Sequence, residues 1–194
     1  VHHAKKAADA GVDGIIAVSA GAGGHAGSTN PFALVAEIRK FFDKTILLSG
    51  CLSTGYDIAA AKAIGADFAY MGTRFINVDE SLADEEYKQM IIDSNASDIV
   101  YTAAVSGVNA NFLRPSLESM GITEDMWAQT KKIDFGEELD AAKAEAKAWK
   151  TIWSAGQGVT SIDDSVSTTT LIDRLKEQFV TALQRQQEVL KKYL

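Results

Sequence analysis

"TILLSGCLSTGYDIAAAKAIGADFAYMGTRF", Thr45 to Phe75, is the stretch on which the fold turns. It opens on an apolar run, Thr45 to Gly50, that reads as a buried strand. Ser53 stands where a helix N-cap belongs, and "TGYDIAAAKAIG" reads as a helix ending at Gly65. "DFAYMG", Asp67 to Gly72, is a second apolar run, followed by "TRF". Strand, helix and strand in that order make the crossover unit that parallel strands require.

The same rhythm extends upstream. "VHHAKKAADAG" holds helix formers closed by Gly11, and "DGIIAV", Asp13 to Val18, is another short apolar run. Asn30 and Pro31 read as an N-cap and a first helical residue. Phe32, Val35, Ile38 and Phe42 then follow at helical spacing. Strand starts near residues 14, 45 and 68 lie one βα unit apart. The runs are near-continuously apolar, as expected of parallel strands beneath helices, with no wet face predicted. The fold class is therefore α/β.

Beyond Phe75 the rhythm stops. "DESLADEEYKQMIIDS" reads as a helix with an acidic start, and the 79–86 stretch as a solvated face. "DIVYTAAVSGVNANFLRPS" is mixed. "TEDMWAQ" and "EELDAAKAEAKAWKTIW" read as helices. "SAGQGVTSIDDS" is a second glycine-bearing loop. A long final helix carries Leu171, Leu175, Phe179 and Leu183 on one stripe.

The 194 residues suffice for one sizeable core, and 46% hydrophobic with 23% charged residues is the balance of an ordinary globular protein. Net charge is −7, which argues against nucleic acid as a partner. No run approaches about 18 uninterrupted apolar residues, so no membrane span is predicted. Cys51 is the single cysteine, so an internal disulfide is impossible and a cytoplasmic setting is expected. The start at Val1, inside a helix-like stretch, reads as a cut.

Three apparent strands end in glycine-bearing loops at the carboxyl edge of one sheet, where α/β folds bind ligands. "SAGAGGHAGSTNP", Ser19 to Pro31, holds four glycines and His25. Glycine allows sharp bends and close approach, and histidine moves protons near neutral pH. Gly50, Gly72 and the helix start at Ser53 can offer backbone N–H groups to a phosphate, and Thr73 a hydroxyl. The bland alternative is that these glycines only make tight turns. His25, between Gly24 and Gly27, reads as facing the site rather than as surface decoration. His2 and His3 read as solvated, and Cys51 as a small loop residue with no base beside it. Asp13, Asp67 and Arg74 read as turn-fixing residues or partners of one another. No Cys/His/Asp spacing suggests a metal. "GAGGHAG" is not a dinucleotide fingerprint, since no acid follows a second strand at the required distance.

Together, "GVDGIIAVSAGAGGHAG", the Thr45–Phe75 stretch and "AGQGV" resemble the nitronate monooxygenase family. The likeness runs in order over residues 1–80 and returns near 102–115 and 153–160. Flavin-dependent enoyl-acyl-carrier-protein reductases are similar through the same motifs. The resemblance implies the C-terminal portion of an FMN-binding (β/α)8 TIM barrel. The three strands would be its sixth to eighth, and a mainly helical small domain would follow. The divisions it implies are 1–80 for the last βα units, 81–152 for the small domain, and 153–194 for a return loop and terminal helix. Carried over by position, Gly23, Gly24 and His25 match the loop beside the flavin. Ser49, Gly50, Gly72 and Thr73 match the FMN phosphate loops, Gln157 a further loop near the flavin, and His25 the catalytic histidine. The chain departs at "SAGAGGH", where many members carry an acidic residue before the alanine, which leaves the subclass open. The implied activity is FMN-dependent oxidation of alkyl nitronates by O2, with His25 as the base for neutral nitroalkanes. An enoyl reductase and a non-catalytic flavin or phosphate binder are the alternatives. A small-molecule substrate, O2 and the rest of the barrel are the implied partners, with self-association left open.

Overall fold

The computed structural model describes residues 1–128 and 152–194. Helix α1 (His2–Asp9) leads into strand β1 (Gly14–Val18). Strand β2 (Gly24–His25) lies inside the first glycine loop, before helix α2 (Pro31–Arg39). Then come β3 (Thr45–Ser49), α3 (Gly55–Ala63), β4 (Phe68–Tyr70) and the one-turn α4 (Thr73–Ile76). Strands β1, β3 and β4 form a parallel sheet in the order β1-β3-β4, with Ile15 beside Ile46 and Leu48 beside Ala69. The predicted α/β class, its strand starts and its parallel pairing all hold.

Side chains alternate across a strand, so each strand has two faces. Ile15, Ala17, Ile46 and Leu48 point to the helices and pack with Leu34, Val35, Ile38 and Phe42. Ile16, Val18, Phe68 and Tyr70 point the other way and are exposed, Phe68 to 59%. Both faces are apolar, as the continuous runs predict, yet among the described residues only one is covered.

Local chemistry sets the helix starts. The Asn30 side chain accepts the Phe32 amide at 3.0 Å, with Pro31 at the first helical position, as predicted. The α3 cap is Thr54 rather than Ser53. Thr54 Oγ1 accepts the Asp57 amide and the Asp57 carboxylate accepts the Thr54 amide, a reciprocal capping box. Ser53 is instead buried and donates its hydroxyl to Gly158 O at 2.8 Å.

The expected pairings among Asp13, Asp67 and Arg74 do not form. Asp67 pairs with Arg39 at 2.6 Å and accepts the Ile46 amide at 2.8 Å, joining the starts of β3 and β4. Arg74 is buried and bonds to the backbone carbonyl and carboxylate of Asp164, each at 3.1 Å. The partners lie too far along the chain for spacing to show them.

Past β4, helix α5 (Glu85–Asp93) has Glu85 and Glu86 in its first turn, where the helix dipole favours acids. Glu80 is not only solvated, because its carboxylate accepts the Thr168 amide and hydroxyl at the start of the last helix. Where the sequence looked mixed, β5 (Ile99–Thr102) and β6 (Ala110–Leu113) pair antiparallel. β6 also pairs with β2, giving a second sheet in the order β2-β6-β5. Residues after 80 thus contribute strands as well as helices. Their period-2 pattern is weak because all four β6 residues are buried. Helices α6 (Arg114–Ser119) and α7 (Glu124–Trp127) follow, the latter within "TEDMWAQ". The helix expected over "EELDAAKAEAKAWKTIW" lies almost wholly outside the described residues.

The final helix α8 (Thr168–Leu190) buries Leu171 and Leu175, while Leu183 is exposed. The predicted stripe is real for its first two turns only. It crosses α3 at Gly55, where a Cβ would collide with the backbone of Leu175 and Phe179. Among the described residues no helix is long and apolar enough to cross a membrane.

Candidate functional site

The carboxyl ends of β1, β3 and β4 feed the three glycine loops, and these meet around a cavity of about 250 Å³. Gly23, Ser49, Gly50, Gly72 and Thr73 line it, with Tyr87 on the far side. Ser19, fully buried, ties the first loop to the second by donating its hydroxyl to Ser49 O at 2.8 Å. Gly50 has φ +124°, and a Cβ there would lie 3.0 Å from Ala20 O and strike Ser19 Oγ. This glycine is needed for close loop packing. Gly72 is different: a Cβ there would meet nothing within 4 Å. The protein leaves open space at that position.

A third segment closes the cavity. Gln157 donates its amide to Gly21 O at 2.9 Å, and Gly156 donates its amide to Thr73 Oγ1 at 3.0 Å. A Cβ on Gly23 would lie 2.9 Å from the Ala155 carbonyl carbon and the Gly156 nitrogen. One on Gly156 would lie 2.5 Å from Gly21 O. The "AGQGV" loop therefore sits directly on the first glycine loop. Because the Thr73 hydroxyl oxygen is already an acceptor for Gly156, its proton remains to be donated.

Tyr87 supports this closure. Its hydroxyl donates to Ser154 O and its ring stacks on Trp153 at 5.0 Å. Burial pushes the phenol up to about 12, so the donor persists across the neutral range. Sequence reading missed Tyr87 and Ser19, and gave Ser53 a capping role in place of its bond to Gly158. A tyrosine within a strongly acidic segment was the only local hint.

Not every expected donor is available. At the start of α3, the Ser53 and Thr54 amides go to the Asp57 carboxylate and the Gly55 amide to Gln178 Oε1. That helix start does not serve as a phosphate seat, because its own acid and Gln178 occupy it. Arg74 is turned away toward Asp164; burial pushes its guanidinium down from the ordinary value while Asp164 opposes the shift. The amides at the start of α4, Thr73 and Arg74, lack intrahelical acceptors by position. Cys51 also lines the cavity, with φ +58°. Burial first, and the nearby Asp57 charge second, push its thiol up, so it stays protonated near neutral pH.

The remaining predicted residues divide. Gly24 and Gln157 are outside the cavity lining. The Gln157 side-chain oxygen faces Cys51 Sγ at 3.6 Å. His25 is exposed and lines a second cavity of about 680 Å³, together with Ile16 and Val18 from the uncovered sheet face. The structure thus brings five of the predicted phosphate-loop and flavin-loop residues together and sets His25 against a separate cavity, although it lies two residues along the chain from Gly23.

Comparison with known proteins agrees with this architecture. A family model described as nitronate monooxygenase matches residues 1–178. A nitronate monooxygenase of Paraburkholderia phytofirmans is 35% identical over 121 residues, covering 58% of this chain and 33% of that protein. FabK from Thermotoga maritima superposes with a TM-score of 0.75 at 26% identity, over 98% of this chain and 60% of that one. A nitroalkane oxidase from Streptomyces ansochromogenes gives 0.71, also at 26% identity, over 95% of this chain and 56% of the other. The chain spans between a third and three fifths of these proteins' lengths.

Proposed function

The chain belongs to the nitronate monooxygenase family, and from that premise we propose that it takes part in the FMN-dependent oxidation of alkyl nitronates by O2. On this reading β1, β3 and β4 are the sixth to eighth strands of a (β/α)8 barrel. The uncovered apolar face of Ile16, Val18, Phe68 and Tyr70 supports it, being what a barrel interior requires.

The observation that carries the reading is the cavity between the β3 and β4 loops, which is open at Gly72 and closed by the 153–158 loop. Its donors fit a phosphate monoester: the amides beside Gly50 and Gly72 and the outward proton of Thr73. Among the described residues no arginine or lysine lines it, so charge would be met by aligned backbone dipoles. Its volume suits a phosphate and part of a polyol chain. Ser49, Gly50, Gly72 and Thr73 would hold that end, with Gly23 and Gly24 beside the ring system and Gln157 bracing the closure. When bound, the flavin supplies the electron-transfer chemistry between nitronate and O2.

His25 is the base. A nitronate has already lost its α-proton, but a neutral nitroalkane has not. The imidazole takes that proton and holds it, in the cavity it lines together with Ile16 and Val18. The related enoyl-reductase reading rests on the FabK likeness and predicts flavin reduction by NAD(P)H instead.

The test is to identify the flavin released on denaturation and to compare His25→Asn with the parent on one nitroalkane and its preformed nitronate. The expected loss is about 10²–10⁴-fold in kcat/KM for the nitroalkane and far less for the nitronate. Equal losses would remove His25 as the base. Rapid flavin reduction by NAD(P)H with no nitronate turnover would favour the reductase, and absence of any turnover a non-catalytic flavin binder.

A further inference from the structure

Two residues of the second sheet hold the segment that carries His25. Tyr101 on β5 and Asn111 on β6 are partners in register, so their side chains share one face of the sheet. Asn111, 4% exposed, donates its side-chain amide to Ala22 O at 2.6 Å. Tyr101 donates its hydroxyl to Ala26 O at 3.0 Å. These carbonyls flank Gly23, Gly24 and His25. On the backbone, Gly24 lies opposite Asn111 and His25 opposite Ala110.

A two-residue strand makes too few ladder bonds to hold itself. Its neighbours are permissive as well: Gly21 and Gly24 adopt φ of +81° and +69°. The course of the backbone that carries the imidazole is therefore held by what grips the segment at each end. We infer that Tyr101 and Asn111 are positioning residues for His25, fixing its approach to the cavity it lines through the Ala22 and Ala26 carbonyls. Its kinetic consequence rests on the reading of His25 as the base; the positioning itself does not.

Tyr101→Phe is the sharper variant. Tyr101 is 43% exposed, so removing one hydroxyl leaves no buried group stranded except the Ala26 carbonyl, which water can reach. Asn111→Ala removes the other grip. In flavin-loaded protein with isotope-labelled histidine, the His25 ring resonance is assigned by its loss in His25→Asn. Tyr101→Phe is expected to shift or broaden that resonance while His2, His3, flavin content and Tm stay as in the parent. Turnover of the nitroalkane should fall about 10–100-fold, the effect of a small misplacement, with nitronate turnover nearly unchanged. In a His25→Asn background, Tyr101→Phe should change neither rate. Asn111→Ala should reproduce the resonance change. Unaltered His25 resonances in both variants would overturn the inference, as would equal loss on both substrates accompanied by flavin release. If His25→Asn fails to separate the two substrates, the base reading falls, and the resonances alone still decide the positioning.

Discussion

Thr73 Oγ1 accepts the backbone N–H of Gly156 at 3.0 Å, across 83 residues of sequence. With the bonds from Gln157 to Gly21 and from Ser53 to Gly158, it joins the loops of the parallel sheet to the loop that closes the cavity. Gly156 is buried, so its amide has no water to fall back on. Thr73→Val keeps the shape and removes the acceptor, and should cost about 1–3 kcal/mol in urea unfolding of the flavin-loaded protein. Thr73→Ser should restore both stability and flavin affinity. A valine variant as stable as the parent would mean the loop is held elsewhere.

Two glycines of the same cavity should respond oppositely to added bulk. Gly23→Ala drives a Cβ to 2.9 Å from the Ala155–Gly156 backbone, which must then shift. It should lower Tm with or without flavin. At Gly72 a Cβ would meet nothing within 4 Å, so Gly72→Val should leave the fold untouched and displace only a ligand. Circular dichroism matching the parent, with flavin lost on gel filtration, is the expected pair of results. Stoichiometric flavin in Gly72→Val would rule out the phosphate seat.

Acid should weaken the clamp around Arg74. Asp164 accepts from Arg174 at 2.8 Å and from Arg74 at 3.1 Å. Hydrogen bonding from Arg174, and then the charges of both arginines, hold its carboxyl below the ordinary value despite some burial. A carboxyl lowered in the folded state adds stability above its unfolded pKa of about 3.9 and loses it as pH falls through the folded value. Asp164→Asn should therefore be less stable than the parent at pH 7, with the two converging as the pH is lowered below 4. At neutral pH the gap should be on the order of 1–3 kcal/mol. It should fall short of the full cost of a buried pair, because 38% of the Asp164 side chain is exposed. Denaturant midpoints across that pH range measure it.

Cys51 should alkylate slowly at neutral pH despite lining the cavity. Burial and the Asp57 charge both disfavour the thiolate. Iodoacetamide labelling should rise only above the ordinary thiol range, and Asp57→Asn should move that rise to lower pH. Fast labelling at pH 7 would show that the thiol is activated in a way its surroundings do not explain.

The sequence by itself determined the elements whose causes are local. Apolar runs placed β1, β3 and β4, and Asn30 with Pro31 placed the start of α2. The glycines after each strand marked the edge where the loops gather, because tight turns and close approach leave a compositional trace. Tertiary structure alone decided which segments touch. Ser53, passed over as the α3 cap in favour of the local Thr54–Asp57 box, is instead drawn to Gly158, 105 residues along the chain. The α3 amides are lost to a ligand because Asp57 and Gln178 reach them. Ala110 and Asn111 pair with His25 and Gly24, and the 153–158 loop rests on Gly21 and Thr73. Period and capping act over a few residues and are written in adjacent letters. A hydrogen bond between residues 83 or 89 positions apart depends on where two backbones come to lie, which only the packed chain defines.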